Sequence, residues 1–190
     1  MPLKYQVPDD KKVRVIVDSD AACEADDPFA IAHALLCDKF IVKAIFAEHF
    51  NCEGSMKQSF EEIQRVVKAM KKEVPVLMGE IGKLSEKGTE EISEASSFLI
   101  REALREDDKP LYVLCIGAIT NIASAIQACP DIVPRMTVVW IGGQSHEHST
   151  GEVREFNAGN DIEAANLVLG SGVRFWQIPN DVYGSMRISL

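Results

Sequence analysis

The sequence predicts an α/β fold, a Rossmann-like, doubly wound and mostly parallel sheet with helices on both faces. Three observations predict it. Short runs rich in β-branched residues alternate with longer stretches of helical period. No low-complexity linker or internal repeat interrupts them. The 190 residues, 46% of them hydrophobic, are enough for one domain with a sizeable core. Alternation of this kind is the pattern of parallel strands joined by crossover helices.

"VRVIVD" (13–18) is a first strand, and "DPFAIAHALLC" (27–37) a helix with Pro28 in its first turn, where a missing N–H costs nothing. "IVKAIFA" (41–47) is a second strand. In "SMKQSFEEIQRVVKAM" (55–70), Met56, Phe60, Ile63, Val67 and Met70 fall on one helical face. A short strand over 74–78, a helix over 92–104, a buried strand over 111–117, a helix over 120–129 and a strand over 136–143 continue the alternation. Asp161 can then N-cap a helix that Gly170 or Gly172 ends, and "VRFWQIP" (173–179) is a sixth strand.

Ligands of such sheets sit outside the carboxyl ends of the strands, where loops converge and helix N-termini present free N–H groups. Asp18 and Asp20 follow the first strand, Asn51 the second, and Thr120 and Asn121 the fourth. The 144–157 loop follows the fifth strand and Asp181 the sixth. The polar residues that a core does not need thus collect on one edge.

Charge narrows the partners. Twenty Lys and Arg against 29 Asp and Glu give a net charge of -9, which repels nucleic acid and acidic membrane surfaces and favours a bound cation. No stretch approaches the roughly 20 apolar residues of a membrane span, and "MPLKYQVPDDKK" lacks the apolar segment of a signal peptide, so the expected address is the cytoplasm. Cys23, Cys37, Cys52, Cys115 and Cys129 are odd in number and show no CxxC pairing. They suggest neither a disulfide framework nor a zinc site, and most are expected as small buried hydrophobes.

Asp18, Asp20, Glu24, Asp26 and Asp27 crowd into ten residues between apolar runs. Partly buried carboxylates repel one another strongly, so protons or a positive charge must offset them. Carboxylate, carbonyl and water oxygens are the donors that Ca²⁺ or Mg²⁺ takes. Two other readings stay open at this point. Asp26 and Asp27 can serve a helix start while Asp18 and Glu24 are solvated. "DSD" after a strand also fits an aspartate-nucleophile phosphatase, although Ala21, Ala22 and Cys23 stand where such an enzyme needs Gly and Thr.

The stretch "VIVDSDAACEADDPFAIAHALL" (15–36) resembles the amino-terminal signature of the nucleoside hydrolases, the inosine-uridine-preferring N-ribohydrolase family. Three later segments agree in order: "AIFAEHFN" (44–51), "IGAITNIASAI" (116–126), and "WIGGQ" with "REFNAGNDIEAA" (140–165). The resemblance implies hydrolysis of the N-glycosidic bond of nucleosides or related ribosides, with Ca²⁺ rather than Mg²⁺ as cofactor. It implies Asp20, Asp27 and the backbone carbonyl of Thr120 as metal ligands and Asp26 as the base acting on a metal-activated water. Asn51, Glu155 and Asn157 would hold the ribose hydroxyls, with Asp18 supporting the ligands. Family members are commonly homo-oligomers, which is the state the resemblance implies here.

The chain departs from the pattern in three places. The five residues "AACEA" between Asp20 and Asp26 are two more than in the better known members and lack their Pro-Gly turn, so Glu24 joins the motif and the substrate can differ from a common nucleoside. Ser149 stands where the family has another ribose-contacting Asn. Members also run past this C-terminus, where a further metal-ligating Asp and a neighbouring His lie. The expectation is a single domain over 1–190 without the C-terminal portion of the family fold. The alternative to a hydrolase is then a non-catalytic or weakly active relative that binds ribose and Ca²⁺.

The remaining candidates read as ordinary structure. His146 and His148 share a loop with Glu147 and Glu152, which favours solvation over metal binding. His33 is expected to pack inside an apolar helix, and His49 falls near the site. Cys23 and Cys52 lack the His partner of a thiol nucleophile. Trp140 and Trp176 are expected in the core. The "GSG" at 170–172 ends a helix, unlike a phosphate loop, which opens one.

Overall fold

A computed structural model of the chain describes residues 6–86, 92–145 and 155–186. In chain order the main elements are β1 (Val13–Ser19), α1 (Asp26–Leu36), β2 (Phe40–Ala47), α2 (Ser55–Ala69), β3 (Val76–Met78), α3 (Glu94–Leu104), β4 (Leu111–Cys115) and α4 (Thr120–Ala128). They continue with β5 (Met136–Ile141), α5 (Phe156–Asn160), α6 (Ile162–Gly170), β6 (Arg174–Ile178) and α7 (Asn180–Tyr183). The strands form one sheet in the order β3-β2-β1-β4-β5-β6, and every pairing is parallel. Each expected strand is present with its ends shifted by a residue or two. The short helices α5 and α7 are additions, too brief to show a helical period.

Alternation along β1 splits the core in two. Val15 and Val17 face Ile31 and Leu35 of α1 and Ile63 of α2. Ile16 faces the opposite way, into a layer with Leu99 of α3, Ile122 of α4 and Val168 of α6. Being covered on both faces is why the central strand reads as a continuous apolar run. Among the described residues the helices that cover the α1 side stop at β1. Over β4 to β6 these residues leave an apolar groove in which Tyr112, Leu114 and Val139 are half-buried and Trp176 is 53% exposed.

Three expectations about packing need correction. Trp140 is a core residue, but Trp176 stands on the uncovered face of the edge strand β6. His33 is exposed, because Ile31, Ala34 and Leu35 take the inward face of α1 and leave position 33 pointing out. Of the cysteines only Cys115, inside β4, is buried. Cys23 and Cys52 sit in loops at the sheet edge, and Cys52 is exposed. His146, Glu147, His148, Ser149 and Glu152 lie outside the described residues. Among the described residues no helix is long and apolar enough to cross a membrane.

The strand order reverses direction between β1 and β4, which leaves a crevice at their carboxyl ends. Register sets Asp18 opposite Phe46 on one side and Cys115 on the other, so the loops after β1, β2 and β4 leave the sheet at one level.

Candidate active site

Among the described residues, five segments build the crevice into a cleft. The β1–α1 loop and the start of α1 bring Asp20, Cys23, Glu24, Asp26 and Asp27. Ile116 comes from the end of β4 and Ile141 from the end of β5. Phe156 and Asn157 of α5, with Asn180 and Tyr183 of α7, form the facing wall. No Lys or Arg is among the described residues that line it.

Local structure fixes the acidic wall. Asp20 is 3% exposed and packs on Gly117, where a Cβ would come within 2.8 Å of its carboxyl carbon. Only glycine lets the β4 loop lie this close. The N-cap of α1 is Ala25, and no side chain caps the helix. Asp26 and Asp27 therefore do not serve as caps. Asp27 turns inward and accepts a 2.5 Å hydrogen bond from the Ser19 hydroxyl, while Asp26 stays exposed at the cleft. Burial, reinforced by the charge of Asp27, pushes the Asp20 carboxyl up to about 8. Burial likewise raises Asp27 to about 7 against the opposing bond from Ser19, and the charge of Asp26 adds to the rise.

Behind this wall lies a second polar layer. Asp18 is fully buried and accepts a 2.8 Å bond from the Asn121 amide. Its other oxygen meets no fixed donor among the described residues, and the carboxyl of Glu48, also fully buried, lies close enough to share a proton with it. Desolvation raises both, Asp18 to about 7 and Glu48 well above the usual range, so the two cannot both ionise. Glu48 accepts the backbone N–H groups of His49 and Asn121, each at 3.1 Å. Asn121 is the hub of the layer: it also donates to the Ala47 carbonyl at 3.2 Å and accepts from the Glu80 N–H at 2.7 Å. Asn121→Ala is expected to lower unfolding stability by about 3 kcal/mol, because buried groups left without partners cost about 1–3 kcal/mol each. Urea denaturation checks this, and a loss under about 0.5 kcal/mol would remove the hub role.

The opposite wall is organised by Glu155, which N-caps α5. Its carboxylate accepts from Asn157 N (2.9 Å), Ala158 N (2.8 Å), Gly143 N (2.6 Å) and the Tyr183 hydroxyl (2.6 Å). Asn157 in turn donates its side-chain amide to the Ile141 carbonyl at 2.9 Å. Tyr183 takes a further bond from Asn180 at 2.9 Å.

The structure thus gathers Asp20, Glu24, Asp26, Asp27 and Asn157 around one cleft, with Glu155 and Asp18 directly behind its walls. Two expected residues stand apart. Thr120 is fully buried at the start of α4, its hydroxyl engaged by Asp161 and His49, and it does not line the cleft. Asn51 is exposed beyond β2 on the same edge, also outside the lining, with a left-handed φ of 58°. Sequence reading missed Ile116, Asn180 and Tyr183, and it missed Glu48 although that residue falls within a quoted segment.

Among the described residues no three His, Cys, Asp or Glu side chains converge as a ready metal cluster. The chemistry of Asp20 and Asp27 nevertheless fits a hard cation. Both are buried oxygen donors that share one cleft, and their proton affinity is raised by burial and by neighbouring carboxylates.

Comparison with known proteins agrees with the geometry. Residues 15–189 match the family described as inosine-uridine preferring nucleoside hydrolase. The non-specific ribonucleoside hydrolase RihC of Escherichia fergusonii is 35% identical over 91 residues, 47% of this chain and 30% of that protein. Among solved structures, an inosine-guanosine nucleoside hydrolase superposes with a TM-score of 0.72 at 23% identity, over 88% of this chain and 60% of its own. A purine-preferring ribonucleoside hydrolase from Gardnerella vaginalis gives a TM-score of 0.69 at 23% identity, over 88% and 61%. The chain therefore spans less than two thirds of each of these relatives, and the structural likeness, at such identity, concerns the fold.

Proposed function

Since the chain belongs to the inosine-uridine preferring nucleoside hydrolase family, we propose that it hydrolyses the N-glycosidic bond of nucleosides or related ribosides. The observation that carries this reading is the cleft at the strand-order reversal, where Asp20, Asp26 and Asp27 face Asn157 and the Glu155 wall across one space.

Breaking an N-glycosidic bond builds positive charge on the ribose ring in an oxocarbenium-like transition state. A cleft lined by carboxylates with no lining Lys or Arg among the described residues favours that charge as it develops. Asp26, exposed at the first position of α1, is the base that takes a proton from the attacking water. Asp20 and Asp27 are the groups that would hold Ca²⁺. When bound, the ion would lower the pKa of a water and fix it against the sugar hydroxyls. The backbone carbonyl of Thr120, at the start of α4, would complete that site, and Gly117, on which Asp20 packs, holds the β4–α4 loop against it. Asn157 contributes a positioned amide on the sugar side, and Asn51, whose neighbour Cys52 lies close to Cys23 of the cleft, would reach a ribose hydroxyl from the turn after β2. Glu155 orients α5, and its four acceptor directions are already filled, so a ribose hydroxyl reaches it by displacing the Tyr183 hydroxyl. Glu24, at the mouth of the cleft, belongs to the longer loop and contacts the part of the substrate that differs from common nucleosides.

The test is release of free ribose and base from inosine and uridine, followed with and without chelator. Turnover that needs Ca²⁺ is expected. Saturable nucleoside binding without turnover would replace the hydrolase reading by the ribose-binding alternative.

A further inference from the structure

His49 is fully buried with the Glu48 carboxyl 3.6 Å from its Nε2, and Thr120 and Asn51 fix the direction of the bonds that the ring makes to them. Asp161 accepts the backbone N–H groups of Leu84 (2.7 Å) and Ala164 (3.0 Å), so its carboxylate acts as an acceptor. The Thr120 hydroxyl, 2.8 Å from Asp161 Oδ2, is the donor of that pair. A hydroxyl carries one proton, so Thr120 Oγ1 must accept from His49 Nε2, 2.9 Å away. The proton of the neutral ring is then on Nε2, and Nδ1 keeps its lone pair. Into that lone pair the backbone N–H of Asn51 donates at 3.2 Å.

Asn51 needs such a tether. Its φ of 58° is left-handed, which costs an L-residue roughly 1–2 kcal/mol and which Asn tolerates better than most. It stands at the turn between β2 and α2, exposed, where the chain could take other conformations. We propose that His49 is a positioning residue whose Nδ1 holds the Asn51 backbone in the conformation that presents the Asn51 side chain to a riboside at the carboxyl edge of the sheet. The assignment rests on reading Asn51 as a riboside contact. The relay ties that contact through Thr120 to Asp161, so the ends of β2, α4 and α6 share one hydrogen-bonded chain.

Two variants separate the halves of the ring. His49→Asn keeps an acceptor near the place of Nδ1 and can close the same turn onto the N–H two residues on, but it cannot reach Thr120. His49→Gln keeps a donor near the place of Nε2 and has no acceptor near the place of Nδ1. With inosine and uridine as probes, His49→Gln is expected to raise KM about threefold to tenfold, the worth of one hydrogen bond, with kcat within about twofold. His49→Asn should stay near wild-type KM, and the Asn51 amide should exchange faster in the Gln variant than in the Asn variant. Should the Gln variant not fold, Thr120→Val removes the partner of Nε2 and frees the ring to take the other tautomer, with the same expected rise in KM.

A larger KM for His49→Asn than for His49→Gln overturns the proposal. An unchanged KM in a folded Gln variant whose Asn51 amide has lost protection does so as well. Absence of turnover in the wild type strikes the proposed function alone. The tether is then decided by exchange, and equal protection of Asn51 in the two variants overturns it.

Discussion

Asp26→Asn is expected to lower kcat for riboside hydrolysis by about 10²–10⁴-fold, the range that a positioned general base contributes. KM should change little, because Asp26 acts on the water and not on the sugar. The fold should be nearly indifferent: Asp26 is exposed and does not cap α1, so what is lost is a charge at a helix N-terminus, worth about 0.3–1 kcal/mol. A shift in Tm of at most about 4 °C follows for a chain of this size. Steady-state kinetics beside a thermal melt decides the matter. A kcat within about threefold of wild type in a folded variant would fall far short of what a general base contributes and assign the base elsewhere.

Removing Ca²⁺ is expected to make stability depend on pH, and to make it fall as the solution becomes more alkaline. Burial raises Asp18 and Asp27 from 3.8 to about 7 and Asp20 to about 8. A carboxyl whose pKa rises on folding holds its proton more tightly in the native state. Its contribution is whole below the unfolded value and is lost as pH climbs through the native value. The Tm of the metal-free chain should therefore drop between about pH 4 and pH 8. A cation that takes the place of those protons reverses the trend: at a hundred times Kd it adds about 2.7 kcal/mol, or roughly 5–10 °C in Tm. The gain should be largest near pH 8, where ion and proton compete least, and Asp20→Asn should diminish it. Scanning calorimetry with and without Ca²⁺ reads both effects. A Tm at pH 8 that ignores millimolar Ca²⁺ would remove Asp20 and Asp27 as its ligands.

What could be read from the sequence followed from period and local spacing. The six strands and their covering helices announced themselves by β-branched runs and three-four spacing, and Asp20, Asp26 and Asp27 by their crowding after a strand. What escaped depends on contacts far apart in the chain. Glu48 looks like one more polar residue after a strand until Asp18 and Asn121 are folded against it. Tyr183 and Asn180 reach the cleft only because α7 turns back toward Glu155. Ile116, at the strand end, lines the cleft without any polar signal, and the burial of the Thr120 hydroxyl between Asp161 and His49 depends on partners distant in the chain. Trp176 carries the same apolar signal as Trp140, and only the strand order shows that one lies on an uncovered edge.

The two tryptophans give the molecule a natural optical division. The indole N–H of Trp140 is bonded at 3.0 Å to the carbonyl of Gly117, the residue on which Asp20 rests. Its emission is expected to be blue, shielded from quenchers and sensitive to the floor of the cleft. Trp176, half in water on the far side of β5, is expected to emit to the red and to be open to acrylamide. Quenching one indole leaves the other as a label-free gauge of what enters the site.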